Sequence, residues 1–364
     1  MQRLTDPARL DDLRRRLVNA RLPDQPIRGG GETPETIRRI DELIAYWRDG
    51  YRWPAERLAA LPHRFFTVDG VRIHALVVPG TGPDPLPLLL SNGWPSSFVE
   101  YLDVLDLLTG HPDERFTVVI PALPGYGLSD RALDRDLTRE QIAGLFNTLM
   151  VEHLGHERYV AHGDDIGGGV VNRLGMHHAA NVIAIQTTNW LNPEIAEGTA
   201  LSAEEVRYRR GLEDWDRTEG AYAHVQETRP HTLAYALNDS PAGLAAWILE
   251  KWLTWTDPAT RDNVSADTML TNVTLYWLTE TGPSSTRLYA IYNPPALGDV
   301  VAVPASVLAP HEPKLPIPPE SWLRRSYPQL TRWAQVEAGG HFLAAENPEL
   351  FAAELRNAFR QYRR

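Results

Sequence analysis

The 364-residue sequence predicts an α/β protein built on a mostly parallel sheet, with a helical segment inserted late in the chain and a helical extension in front. Three observations carry that reading. From residue 65 to about 190, short buried-type apolar runs alternate with helical patterns, the rhythm of repeated strand–helix–strand units. From about Leu191 to Gly282 the strand texture gives way to helical patterns in which Trp190, Trp215, Trp247, Trp252, Trp255 and Trp277 lie in or beside the segment, and strand-like runs then resume. The N-terminal stretch carries helix signals and no strand signals.

The elements follow in order. Asp6-Pro7 reads as an N-cap with proline at the first helical position, and Leu10, Leu13 and Leu17 recur at helical spacing until Arg21-Leu22-Pro23. Thr33-Pro34 repeats the signal, with Ile37, Ile40, Leu43, Ile44 and Trp47 as the apolar stripe and Gly50 as the stop. FFTVDGVRIHALVV, from Phe65, gives two alternating runs around Asp69-Gly70, a hairpin. Strands are then expected at Leu86–Leu90, Phe116–Ile120, Tyr159–Ala161 and Val182–Thr187, with helices after Ser97, from Thr138 and after Gly167. After the insertion, Val300–Leu308 and Arg332–Gly339 read as further strands, and Asn347-Pro348 opens a last helix. The expected division is an extension over residues 1–64, a core from 65–190 and 286–364, and a helical cap over 191–285.

Composition narrows the function. A net charge of -11 offers no basic field for phosphates, which excludes nucleic acid and anionic membrane as expected partners. With no cysteine there can be no thiolate nucleophile or thiolate metal site, and the isolated pair His153/His156 lacks a third ligand, so no metal is expected. The charged N-terminus lacks the apolar core of a signal peptide, and no run nears 18 apolar residues, which points to the cytoplasm. Lysine occurs only at Lys251 and Lys314, an arginine bias of high-GC coding that suggests a bacterial source.

The stretch YVAHGDDIGGGVV sets two aspartates between glycines, between an expected strand and an expected helix. A nucleophile on a sharp strand-to-helix bend needs small residues two before and two after it, because the two backbones nearly touch there. Asp165 has Gly163 and Gly167 in those places, whereas Asp164 would have His162 and Ile166. Asp165 is therefore the expected nucleophile. A carboxylate suits attack on a saturated carbon bearing a good or activated leaving group. The ester so formed needs a base to activate water and an acid to orient that base, in the chain order nucleophile, acid, histidine. GGHF supplies His341 after an expected strand, and Glu312 in PHEP lies on the loop after the preceding strand. Glu320 and Glu337 compete with Glu312, but Glu320 begins a helix and Glu337 falls inside the strand reading. The oxyanion donors are expected to be the backbone N–H groups of Ile166 and of Trp94, in the SNGWPSS loop after Leu86–Leu90.

With these residues in place, nearly the whole chain resembles the α/β-hydrolase-fold epoxide hydrolases, in the microsomal-type branch with an N-terminal helical extension. LDDLRRRLVNARLPD and YWRDGYRWPAERLAALPHRFF look like the family's extension, PALPGYGLS like its loop after a core strand, and HGDDIGG, LNDSPAGLAAWILEKW, MLTNVTLYWLTE and SSTRLY like its elbow and cap. The resemblance implies two cap tyrosines that hydrogen-bond the epoxide oxygen, matching Tyr222 and Tyr289 here. Phenols make chemical sense, since opening the ring otherwise expels an alkoxide. Three positions depart from the family pattern: Asn92 stands where its His-Gly-x-Pro loop has histidine, Ile166 stands where tryptophan is frequent, and the acid loop is displaced by one residue.

The resemblance implies a cofactor-independent hydrolase that turns a small apolar epoxide and water into a vicinal diol through an ester on Asp165, with a homodimer left open as its assembly. A haloalkane dehalogenase also uses an elbow aspartate, but resembles its relatives in having tryptophan after that aspartate and has no need of the tyrosine pair. A catalytically silent binding protein on the same fold is the remaining alternative.

Overall fold

The computed structural model describes residues 2–25, 27, 31–132 and 134–363. Eight strands form one sheet: β1 (His63–Val68), β2 (Val71–Val78), β3 (Leu86–Ser91), β4 (Phe116–Pro121), β5 (Tyr159–Gly163), β6 (Val182–Thr187), β7 (Ala305–Ala309) and β8 (Leu330–Gln335). Their order is β1-β2-β4-β3-β5-β6-β7-β8. β2 pairs antiparallel with β1 and with β4, and every pairing from β4 to β8 is parallel. The β1–β2 hairpin turns at Asp69 (φ 48°) and Gly70 (φ 76°), two successive left-handed residues of the kind that match the twist of a two-residue hairpin.

The parallel strands are apolar on both faces because both faces are covered. Alternation divides their side chains between two layers: Leu89, Val119, Ala161, Ile185 and Val307 point one way, while Leu88, Leu90, Val118, Ile120, Val160 and Leu308 point the other, toward Phe351, Leu355 and Phe359 of the last helix.

Between β6 and β7 run the helices Ala203–Glu219, Ala221–Thr228, Pro230–Asp239, Pro241–Thr254, Ala266–Thr279 and Gly282–Ala290. In front of the sheet, Pro7–Val18 and Pro34–Asp49 are helical, capped by Asp6 and Thr33 as their sequences predict. These N-terminal helices pack on the inserted ones. Trp47 Nε1 donates to Thr274 Oγ1 at 2.9 Å, the Tyr51 and Thr271 hydroxyls lie 3.0 Å apart, and Arg9 pairs with Glu280 at 2.9 Å.

Two strand readings are shorter in the structure than in the sequence. Residues 300–304 lie outside β7, because Pro304 lacks the N–H that a central strand would donate. β8 stops at Gln335, opposite Ala309, where its partner ends before Pro310, so Glu337 lies on an exposed loop rather than in a strand.

Candidate active site

β5 ends at Gly163, Asp164 is still extended (φ -116°, ψ 158°), and the helix Asp165–His177 begins at once. The turn is made by Asp165 itself, at φ 44°. Left-handed backbone at a non-glycine residue costs on the order of 1–3 kcal/mol and persists only where the surroundings enforce it. Here the enforcement is contact. A Cβ on Gly163 would fall 2.4 Å from the Gly167 carbonyl oxygen, and one on Gly167 would fall 2.0 Å from that of Ser91, so no larger residue fits at either place. Asn189 Nδ2 also donates to the Asp165 carbonyl oxygen.

The Asp165 carboxylate meets the loop after β3. The Trp94 N–H donates to Oδ1 at 2.9 Å. A Cβ on Gly93 would lie 2.2 Å from the same oxygen and 2.6 Å from the Ile166 nitrogen, so the Ile166 amide borders the same small space. Asn92 is buried and donates through Nδ2 to the Gly93 carbonyl at 3.0 Å, bracing this loop, and the Ile166 side chain packs into the core.

His341 sits in the turn after β8. Its Nδ1 lies 2.7 Å from Glu312 Oε2, and its backbone N–H donates to the Trp255 carbonyl at 3.1 Å. Glu320 is paired with Arg324 on the surface at 2.5 Å, and Glu337 is exposed, so Glu312 is the one of the three sequence candidates that reaches the histidine. Burial pushes the imidazole toward neutrality. The charge of Glu312 and its hydrogen bond, followed by Asp165 and Asp164, outweigh that and raise it to about 10.

Tyr222 and Tyr289 come from the inserted helices Ala221–Thr228 and Gly282–Ala290. Tyr222 stacks on the Trp94 ring at 5.3 Å and Tyr289 meets it edge-on at 6.1 Å, with the two phenol rings 5.8 Å apart. The Tyr289 hydroxyl is buried and has no hydrogen-bond partner among the described residues. Burial, with the charge of Asp165 behind it, holds both phenols well above their ordinary pKa, hence protonated.

The structure adds groups that sequence reasoning missed. Asp164 accepts from the Tyr101 hydroxyl at 2.7 Å, while neighbouring Glu100 accepts from Ser96 Oγ at 2.5 Å. Burial raises Asp164 to about 7. The loop 255–260, between two inserted helices, lies against the His341 turn, and Trp255 covers the imidazole at 4.6 Å. Glu346, fully buried, accepts from the Gly340 and Phe342 amides at 2.7 and 3.0 Å, from the Asp257 amide at 3.0 Å and from Thr260 Oγ1 at 2.7 Å. An acid closing the apolar run HFLAAE was the only local signal for Glu346.

Residues 2–101 match the family described as epoxide hydrolase N terminus, and residues 87–228 match the alpha/beta hydrolase fold family. Epoxide hydrolase 1 of Sus scrofa is 32% identical over 87% of this chain and 78% of its own length. The juvenile hormone epoxide hydrolase of Bombyx mori is 31% identical over 97% of this chain and 84% of its own. The chain belongs to the epoxide hydrolase family. Solved structures of epoxide hydrolases agree: that of the Bombyx mori juvenile hormone enzyme superposes with a TM-score of 0.86 at 28% identity, covering 98% of this chain and 93% of the other. The Aspergillus niger epoxide hydrolase superposes at 0.83, also at 28% identity, covering 97% and 94%. Family membership makes the chain a hydrolase on the α/β-hydrolase fold.

Proposed function

We propose that this family member converts an epoxide to a vicinal diol through an ester on Asp165, with the helices between β6 and β7 serving as a cap. The observation that carries the reading is the facing of one carboxylate, held by one of its oxygens, and a pair of protonated phenols, one with an unused hydroxyl.

Since the Trp94 amide holds Oδ1, the other carboxylate oxygen is left to attack an epoxide carbon. The carbon–oxygen bond of the ring breaks, and Tyr222 or Tyr289 gives its proton to the departing oxygen. Esterification removes the negative charge of Asp165, one of the groups that keep His341 protonated, and so shifts the imidazole toward the neutral form the next step needs. His341, oriented by Glu312, takes a proton from water as that water adds to the ester carbonyl. The tetrahedral oxyanion forms on Oδ1, where the Trp94 and Ile166 amides stabilise it. Collapse breaks the ester as the imidazolium gives its proton to the departing diol oxygen, and the carboxylic acid left on Asp165 then returns its proton to the phenolate, restoring carboxylate and phenol. Trp94, Trp255 and the two tyrosines line the approach, which suits a largely apolar substrate. The unused Tyr289 hydroxyl favours an epoxide over a haloalkane, whose halide leaves without a proton.

No helix among the described residues is long and apolar enough to cross a membrane. A cytoplasmic site of action belongs to the same proposal.

A single turnover in ¹⁸O-water with enzyme in excess tests the mechanism. The first diol should carry no solvent oxygen, and the label should be found on Asp165. Labelled diol at the first turnover, with unlabelled protein, would mean direct attack by water, and label on Asp164 would refute the assignment of the nucleophile.

A further inference from the structure

Arg139 stands one helical turn from the nucleophile without a carboxylate partner among the described residues. Its aliphatic stem and guanidinium lie over Gly169, where an added Cβ would fall 2.7 Å from Arg139 Cδ and 3.1 Å from its Nε. Gly169 is four residues after Asp165 on the same helix, hence on the same face and about 6 Å further along the axis. Asp165 and Gly169 are both half-open within a helix segment that is otherwise buried from Ile166 to Gly175. On the facing side, the guanidinium carbon sits 4.2 Å from the centre of the Tyr292 ring. Tyr292 follows Tyr289 by three residues, and its N–H donates to the Tyr289 carbonyl at 3.3 Å. Each wall therefore carries a reacting group and, a turn further on, one member of the Arg139–Tyr292 pair. The Arg139 charge is felt at the Tyr222 phenol.

Several facts argue against a purely structural arginine. The chain has 47 acidic residues against 36 basic ones, yet among the described residues none accepts from Arg139, and its Nε is buried without a partner. Arg139 also occupies the first position of the helix Arg139–Thr148, where the helix dipole disfavours a cation. Tyr292 covers a face of the planar fork, and the edge of that fork, which no acidic side chain among the described residues meets, matches a carboxylate with two parallel hydrogen bonds.

We propose that Arg139 anchors a carboxylate on the substrate, so that the epoxide taken by this enzyme has an apolar body and an acidic end. This rests on the epoxide-opening reading above and names the class of epoxide. With the oxirane against Asp165 and the phenols, the acidic end lies along the Asp165–Gly169 face, over Arg139. No step of the chemistry changes, because the carboxylate only fixes the orientation.

The test compares an epoxy carboxylic acid with its methyl ester as substrates. The wild type should favour the acid in kcat/KM by about tenfold or more, the range of a charge-assisted pair. In Arg139→Gln that ratio should fall to near one, and Arg139→Lys, which keeps the charge but not the fork, should lie between. An acid-to-ester ratio that is the same in wild type and Arg139→Gln overturns the proposal. A second measurement does not depend on turnover: the saturated acid of the same skeleton and its primary amide are titrated by quenching of tryptophan fluorescence. Preferential binding of the acid that is lost in Arg139→Gln supports the anchor, and equal loss for acid and amide, or no loss, refutes it. If no epoxide is turned over, the epoxide reading falls while the binding comparison still decides the role of Arg139.

Discussion

The amide of Trp94 donates to Oδ1 of Asp165 at 2.9 Å across 71 positions of sequence, and the glycine before it leaves no room for a side chain, since a Cβ on Gly93 would lie 2.2 Å from that oxygen. The nucleophile is therefore positioned by a neighbour's lack of bulk as much as by a hydrogen bond. Gly93→Ala should displace the carboxylate by about an ångström and slow ester formation by about 10²-fold, the usual cost of such a misplacement. Pre-steady-state kinetics of the first turnover check this, and an unchanged alkylation rate would show that the contact does not set the position.

His341→Gln should leave ring opening in place and stop hydrolysis, because only the second step needs an activated water. Intact-protein mass spectrometry should then show the substrate mass added to the enzyme. Normal turnover by this variant would remove His341 from the mechanism, as would a folded, substrate-binding variant that never forms an adduct.

Tyr222→Phe and Tyr289→Phe should each slow alkylation by roughly 10²-fold or more, as expected for loss of a proton donor, with the double variant nearly inactive. The pair also separates the two chemistries open to an elbow aspartate. Vigorous release of halide from haloalkanes, insensitive to both substitutions and unaccompanied by epoxide turnover, would make the protein a dehalogenase.

Asp164 gives a prediction about stability. Burial raises its carboxyl from the ordinary 3.8 to about 7, so between those values the folded chain holds a proton that the unfolded chain has released. The stability associated with this group is fully present below about pH 3.8 and is lost as pH rises through 7. Asparagine at this position carries no charge and still offers an oxygen to the Tyr101 hydroxyl. Urea midpoints for wild type and Asp164→Asn should diverge in favour of the variant from pH 4 to pH 8. A wild type that gains on the variant over that range would contradict the buried-carboxylate account.

The parts of the molecule that the sequence discloses are those whose cause is local. The Gly163-x-Asp165-x-Gly167 register discloses the bend because two backbones must touch there, and Asp6, Thr33 and Thr138 mark helix starts because each caps its own helix. Choosing Glu312 over Glu337 rested on placing Glu337 in a strand, and the structure separates the two for a different reason, since β8 ends at Gln335 and leaves Glu337 on the surface. Trp255 over His341, Tyr101 beneath Asp164 and Arg139 beside Gly169 join segments far apart in the chain. No window of residues contains those pairings, and only the packing of the sheet with its inserted helices creates them.

Glu346 has a practical consequence for anyone who would exchange parts between relatives. One carboxylate grips both the His341 turn and the loop at Asp257 and Thr260, so the layer that admits a molecule and the layer that splits its ester are fastened to each other beside the catalytic histidine. A chimera that imports the whole stretch from 203 to 290 carries a foreign half of that fastening and risks misaligning the imidazole even when every reacting residue is retained. Splices placed before Trp255 and after Thr260 leave the native loop seated, and recast selectivity through the helices within 203–254 and 266–290 alone.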